Sequence, residues 1–89
     1  MGKINVGETY MSWNYRVMSL DGGKSFGIHE VYYDPDNKPK AYTLNSVRPF
    51  GESLDELRKD ISLMLKAAEK PIMTPQDFPE EFTYVAEDS

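Results

Sequence analysis

His29 is the only histidine in the chain, and Glu30 follows it directly. An imidazole next to a carboxylate is a natural general acid–base pairing. Here the two sit in a stretch with strand periodicity, where neighbouring side chains point to opposite faces and cannot meet. A catalytic His29 would need Tyr15, Arg16 or Asp34 brought to it by the fold, and a structural hydrogen bond is the simpler expectation. Asp34, Asp36 and Asn37 have the look of a calcium loop. The EF-hand pattern requires glycine at its sixth position and glutamate at its twelfth, and those places hold Pro39 and Asn45. That cluster reads as a solvated turn. Gly22-Gly23-Lys24-Ser25 carries the last letters of a phosphate loop without the upstream glycine or the following helix, so it reads as a hairpin turn. One histidine without a flanking motif makes a serine nucleophile system a poor fit. No pair of carboxylates has a reason to differ in pKa. Cysteine is absent, which excludes disulfides and thiolate metal sites. The expectation is a protein that is not an enzyme and has no cofactor or metal.

Charge narrows the partner classes. Residues 1–70 carry ten basic and ten acidic side chains, so the net charge of −5 lies wholly in residues 71–89. Asp77, Glu80, Glu81, Glu87 and Asp88 supply it, with no lysine or arginine among them. Phosphate-backbone binding needs clustered basic residues, so nucleic acid is an unfavourable partner. A basic protein suits the acidic end. No apolar run approaches the roughly 20 residues that span a bilayer. The start of the chain has no apolar signal-like stretch, Met11 is a conceivable alternative start, and a cytoplasmic protein is expected.

The elements that must position these residues follow from periodicity. Trp13, Tyr15 and Val17 alternate with Asn14, Arg16 and Met18, predicting a strand over 13–20. Asp21-Gly22-Gly23 then tolerates the positive φ of a hairpin. A second strand over 25–33 places Phe26, Ile28, Glu30 and Tyr32 on one face, with Gly27, His29, Val31 and Tyr33 on the other. The turn cluster 34–39 leads to a third strand over 41–47. Ser53-Leu54-Asp55-Glu56 is a capping box, opening a helix that runs to Lys70 before Pro71. Leu54, Leu57, Ile61, Met64, Leu65 and Ala68 recur at spacings of three and four and predict its buried face. The fold class is α+β: a three-stranded antiparallel β-meander, one amphipathic C-terminal helix (β-β-β-α) and an extended acidic tail. Its divisions are an irregular lead-in over 1–11, a domain over 12–73 and an aromatic-containing acidic tail over 74–89, in which Thr74-Pro75 can start a short helical turn.

A single helix covers one face of such a sheet, which leaves aromatic residues open to the tail, the lead-in or a second molecule. Arg16, His29 and Tyr33 are candidates for that exposed face. Stacking of bases on the aromatics is the nucleic-acid version of this surface, and ordinary cross-strand packing is the plain version. Leu63 stands about 180° from Leu54 on the helical wheel, among polar residues, and is a candidate dock for the tail or a partner. In the tail, Phe78, Phe82 and Tyr84 stand among the acids Asp77, Glu80 and Glu81. Apolar anchors spaced by acids suit a segment that orders in a basic groove of a partner. They equally suit a tail folded back over its own sheet. An open sheet with two edges also favours a homodimer.

Trp13-Asn14-Tyr15-Arg16-Val17, Ile28-His29-Glu30-Val31-Tyr32-Tyr33-Asp34 and Gly51-Glu52-Ser53-Leu54-Asp55-Glu56-Leu57 together resemble a family of short, uncharacterised bacterial and phage proteins, over residues 12–73. That resemblance implies no activity. The strand order with the Gly-Glu-Ser-Leu-Asp-Glu-Leu run into a helix is also similar to HicB-type antitoxin domains, which bind and block a small, basic RNA-cleaving toxin. Those domains usually add a DNA-binding segment after the helix, and nothing in this chain resembles one. The sequence therefore points to a small protein-binding module, an inhibitor or antitoxin-like regulator that masks a basic partner, with a sheet-based nucleic-acid binder as the alternative.

Overall fold

A computed structural model of the chain describes residues 12–79. Three strands, β1 (Ser12–Met18), β2 (Gly27–Tyr33) and β3 (Pro39–Tyr42), form one antiparallel sheet in the order β1-β2-β3. Helix α1 (Leu54–Ala68) follows, then a short 3-10 turn at Pro75–Asp77. The β-β-β-α arrangement is the one the alternation predicts.

Local chemistry sets the turns. Gly22 and Gly23 take φ of 75° and 90°, as a tight hairpin requires. Asp21 ties that loop together, its carboxylate accepting from the amides of Lys24 and Ser25 and from both the Ser19 and Ser25 hydroxyls. These bonds, with that of the Ser25 hydroxyl foremost, hold the Asp21 carboxyl below its usual range. In the second turn Asp34 does the same for the amides of Asp36 and Lys38, and Asn37 adopts the left-handed φ of 62°. β3 is shorter than its sequence suggests. It begins at Pro39, which needs no donor on an edge strand, and a register shift opposite Tyr32 and Tyr33 accommodates it. Beyond Tyr42 the chain stays tied to β2 by Thr43 N–H to Glu30 O and Val47 N–H to Ile28 O.

Ser53 caps α1 by accepting from the Glu56 amide at 3.1 Å. The Glu56 carboxylate returns its bond to the Glu52 amide, one residue before the cap, instead of the Ser53 amide. Gly51 passes so close to the first turn that a Cβ there would meet the Leu57 nitrogen at 2.3 Å. Glycine is required at 51 by this approach of backbone to backbone.

Pairing places Trp13, Tyr15, Val17, Ile28, Glu30 and Tyr32 on one face of the sheet, and Arg16, Met18, His29, Val31, Tyr33 and Tyr42 on the other. The Tyr15 side chain bonds to Asp60 of α1, so the helix belongs to the first face. On the second face Met18, Val31 and Tyr42 form the buried cluster with Met73 and Phe78, which arrive after the helix. Met73 pairs in parallel with β1, its amide bonded to Val17 O and its carbonyl to Ser19 N–H. Phe78 sets its ring 4.7 Å from that of Tyr42. The packed unit thus continues past residue 73, and Phe78 is an internal residue of it. The face expected to lie open at Arg16, His29 and Tyr33 is covered: His29 is 5% exposed, and Tyr33 packs partly against the cluster.

The helix corrects a second expectation. Its buried residues are Met64 and Ala67, with Leu57 and Asp60 half-buried, while Leu54, Ile61, Leu65 and Ala68 are exposed. The sheet-facing direction therefore lies about 100° around the wheel from the centre of the Leu54–Ile61–Leu65 stripe. Two substitutions separate these arrangements. Phe78→Ala should lower unfolding stability by about 3–5 kcal/mol, the cost of emptying a buried phenylalanine site. Ile61→Ala should stay within about 1 kcal/mol, since much of its side chain is already in water. Urea melts of the two full-length variants measure this, and a larger loss at Ile61 than at Phe78 would contradict the packing.

Candidate functional site

His29, Glu30 and Asp34 each hold a partner within the fold. His29 donates from Nδ1 to the Thr43 carbonyl at 2.8 Å and lies 6.5 Å, edge to face, from the Tyr42 ring. A carbonyl only accepts, so Nδ1 carries the proton and the ring is held in one tautomer. Its neighbour Glu30 sits on the other face, accepting from the Tyr32 hydroxyl. Asp34 spends one oxygen on its turn and places the other 3.8 Å from Lys40 Nζ. Among the described residues no cluster of histidine and carboxylates has the geometry of a metal site, and no helix is long and apolar enough to cross a membrane.

Asp60 is the side chain that sequence reasoning passed over. One carboxylate oxygen accepts from the Tyr15 hydroxyl at 2.6 Å and the other from the Phe50 amide at 2.9 Å. It thereby joins α1 to β1 and to the chain leading into the helix. Burial holds the Tyr15 phenol well above its usual pKa, and the hydrogen bond and charge of Asp60, then the charge of Glu30, push the same way. A polar residue among apolar ones in a helical stripe was the available signal, and its partner 45 positions away was not readable.

Two surfaces flank the Asp60 contact. On one side runs the stripe of Leu54, Ile61 and Leu65, exposed by 59, 47 and 64%, within about 40° of one another on the wheel. Phe50, whose amide Asp60 holds, adds a ring that is 61% exposed. On the other side Leu63 lines a groove of about 370 Å³ with Trp13, Tyr15, Lys66, Ala67 and Lys70. Trp13 and Tyr15 meet there edge to face at 5.2 Å. The structure therefore brings Leu63 together with Trp13 and two lysines, and leaves Arg16, His29 and Tyr33 on the covered face. Arg16 reaches back to the Pro71 carbonyl at 2.8 Å. Of the tail candidates, Phe78 is in the core, whereas Glu80, Glu81, Phe82 and Tyr84 lie outside the described residues.

The Tyr15–Asp60 contact has a pH signature. A phenol whose pKa is raised by folding contributes fully below about pH 10, where a free tyrosine ionises, and loses that contribution as pH climbs towards the folded value. Unfolding stability measured from pH 7 to 11 should therefore fall more steeply above pH 10 in the parent than in Tyr15→Phe. Parallel profiles would mean that the bond is not made. Compared with protein-family models, curated proteins and solved structures, the chain matches none.

Proposed function

We propose that the protein is a small non-enzymatic protein-binding module whose contact surface is the outward stripe of α1. The observation that supports it is the row of Leu54, Ile61 and Leu65, three large aliphatic side chains exposed along one line of a capped helix. Singly exposed leucines are ordinary, but a row of them at i, i+7 and i+11 is what a helix presents to a groove or a second helix. The partner this reading favours is a basic protein. The net charge of −5, concentrated after Lys70, steers such a partner in, and the aliphatic row supplies the desolvated contact. Masking a basic partner is also what the likeness to HicB-type antitoxin domains implies.

Base stacking on the sheet has less support. One face carries α1, the other is occupied by Met73 and Phe78, and Tyr42 is 3% exposed.

A photo-crosslinking residue placed at 65 of the full chain in its source cell, beside a control at Lys24 on the hairpin tip, tests the reading. The expected result is a discrete adduct with a basic protein from position 65 alone, lost on adding Ile61→Asp. Adducts with the chain itself would assign the stripe to a homodimer instead. Equal labelling from both positions would overturn the reading.

A further inference from the structure

One ring atom of His29 has no partner among the described residues. Nδ1 gives its proton to the Thr43 carbonyl, which leaves Nε2 as an acceptor that no described residue meets. The side chain is 5% exposed and lines a pocket of about 220 Å³. Nε2 is not sealed off as Arg16 Nε is, so it keeps an opening on that pocket. A confined acceptor of this kind discriminates, because a ligand without a donor there leaves it unpaired.

Gly27 makes room beside this nitrogen. A Cβ at 27 would stand 3.5 Å from His29 Nε2, 3.6 Å from Ser46 Oγ and only 2.9 Å from Ser46 Cβ. The two polar atoms therefore flank one point over the glycine. Nε2 accepts there, and the Ser46 hydroxyl, which bonds no described residue, can donate. A hydroxyl group satisfies both at once, giving to Nε2 and accepting from Ser46. An amide or indole N–H only gives.

The rest of the wall selects what carries that hydroxyl. Leu20, Phe26 and Leu44 line the same pocket, all three exposed, and a flat apolar ring packs well against them. Sites for drug-sized molecules span about 300–1,000 Å³, so this pocket suits a single ring. Asp21, held ionised by the bonds of its loop, is in the lining and no lysine or arginine is, which turns anions away. Arg16, paired across the strands with His29, sends its guanidinium to the Pro71 carbonyl and does not line the pocket. A phenol, with a pKa near about 10, is uncharged at neutral pH and a good donor to imidazole.

We propose that this pocket binds a small uncharged phenol, its hydroxyl bridging His29 Nε2 and Ser46 and its ring against Phe26, Leu20 and Leu44. The site is independent of the α1 stripe. The helix covers the other face of the sheet, and no α1 residue lines the pocket.

His29 is the only histidine, so its two ring nitrogens give unambiguous signals in the nitrogen-labelled full chain. Titrating p-cresol in mildly alkaline buffer should move the Nε2 resonance saturably while Nδ1 stays in place. Toluene, which lacks the donor, and p-toluate, which is anionic, should bind at least about tenfold more weakly, the worth of one hydrogen bond to a buried group. His29→Asn keeps an amide nitrogen where Nδ1 meets Thr43 but removes Nε2. Read at the Gly27 and Ser46 amides, its affinity for p-cresol should fall by a similar factor. Phe26→Ala changes an exposed side chain, leaves folding intact, and should weaken binding several-fold. Binding of N-acetyltyrosine methylamide as tight as that of p-cresol would support a tyrosine side chain as the source of the phenol, and its exclusion while p-cresol binds would support a free phenol. An Nε2 signal that does not move, equal affinity for toluene and p-cresol, or undiminished binding by either variant would overturn the proposal.

Discussion

The arrangement depends on one carboxylate. Asp60 lies in the middle of α1 and faces β1, where it takes the Tyr15 hydroxyl on one oxygen and the Phe50 amide on the other. A carboxylate brought against a sheet is costly unless donors meet it, and here two donors do, one from a strand and one from the loop before the helix. Those bonds set the roll of the helix. With Asp60 pointing inward, Met64 and Ala67 follow it into the interior, and Leu54, Ile61 and Leu65 turn to solvent. The apolar residues on the outside are a consequence of which polar residue is on the inside.

The roll also explains how so short a chain finds a core. Small domains bury a modest share of their surface, and a helix that spends its central contact on a hydrogen bond buries less. The deficit is met on the opposite face. After Pro71 the chain pairs with the edge of β1 through Met73 and lays Phe78 over Tyr42, so the buried cluster lies under residues 73–78. The sheet is sandwiched between a helix and a short irregular layer, which is why neither face offers a broad aromatic platform.

Much of this was legible from residue pattern. Alternation over 13–20 and 25–33 gives the first two strands, which the structure places at 12–18 and 27–33; Gly22-Gly23 and the cluster 34–39 give the turns, and Ser53 with Glu56 the start of the helix. These are local signals, carried within a few residues. What escaped was set by distant contacts. The helical stripe is apolar enough to predict a buried face, but the choice between Ile61 and Asp60 as the inward residue depends on Tyr15, far away in the chain. Phe78 gave two readings because an aromatic among acids and prolines has no intrinsic side, and Tyr42 supplies the one it takes. Leu63 was legible as an odd residue, whereas its grouping with Trp13 and two lysines needed the register of helix on strand.

The roll of α1 is measurable residue by residue, because the chain has no cysteine of its own. Single cysteines placed in turn at 54, 57, 61, 64, 65 and 67 can be labelled in the native protein and their rates compared with the unfolded chain. The account predicts rapid labelling at 54, 61 and 65 and strong protection at 64 and 67, with 57 between them. Protection at 61 and 65 with exposure at 67 would show the helix turned onto its aliphatic stripe. Asp60 would then not be the residue that orients it.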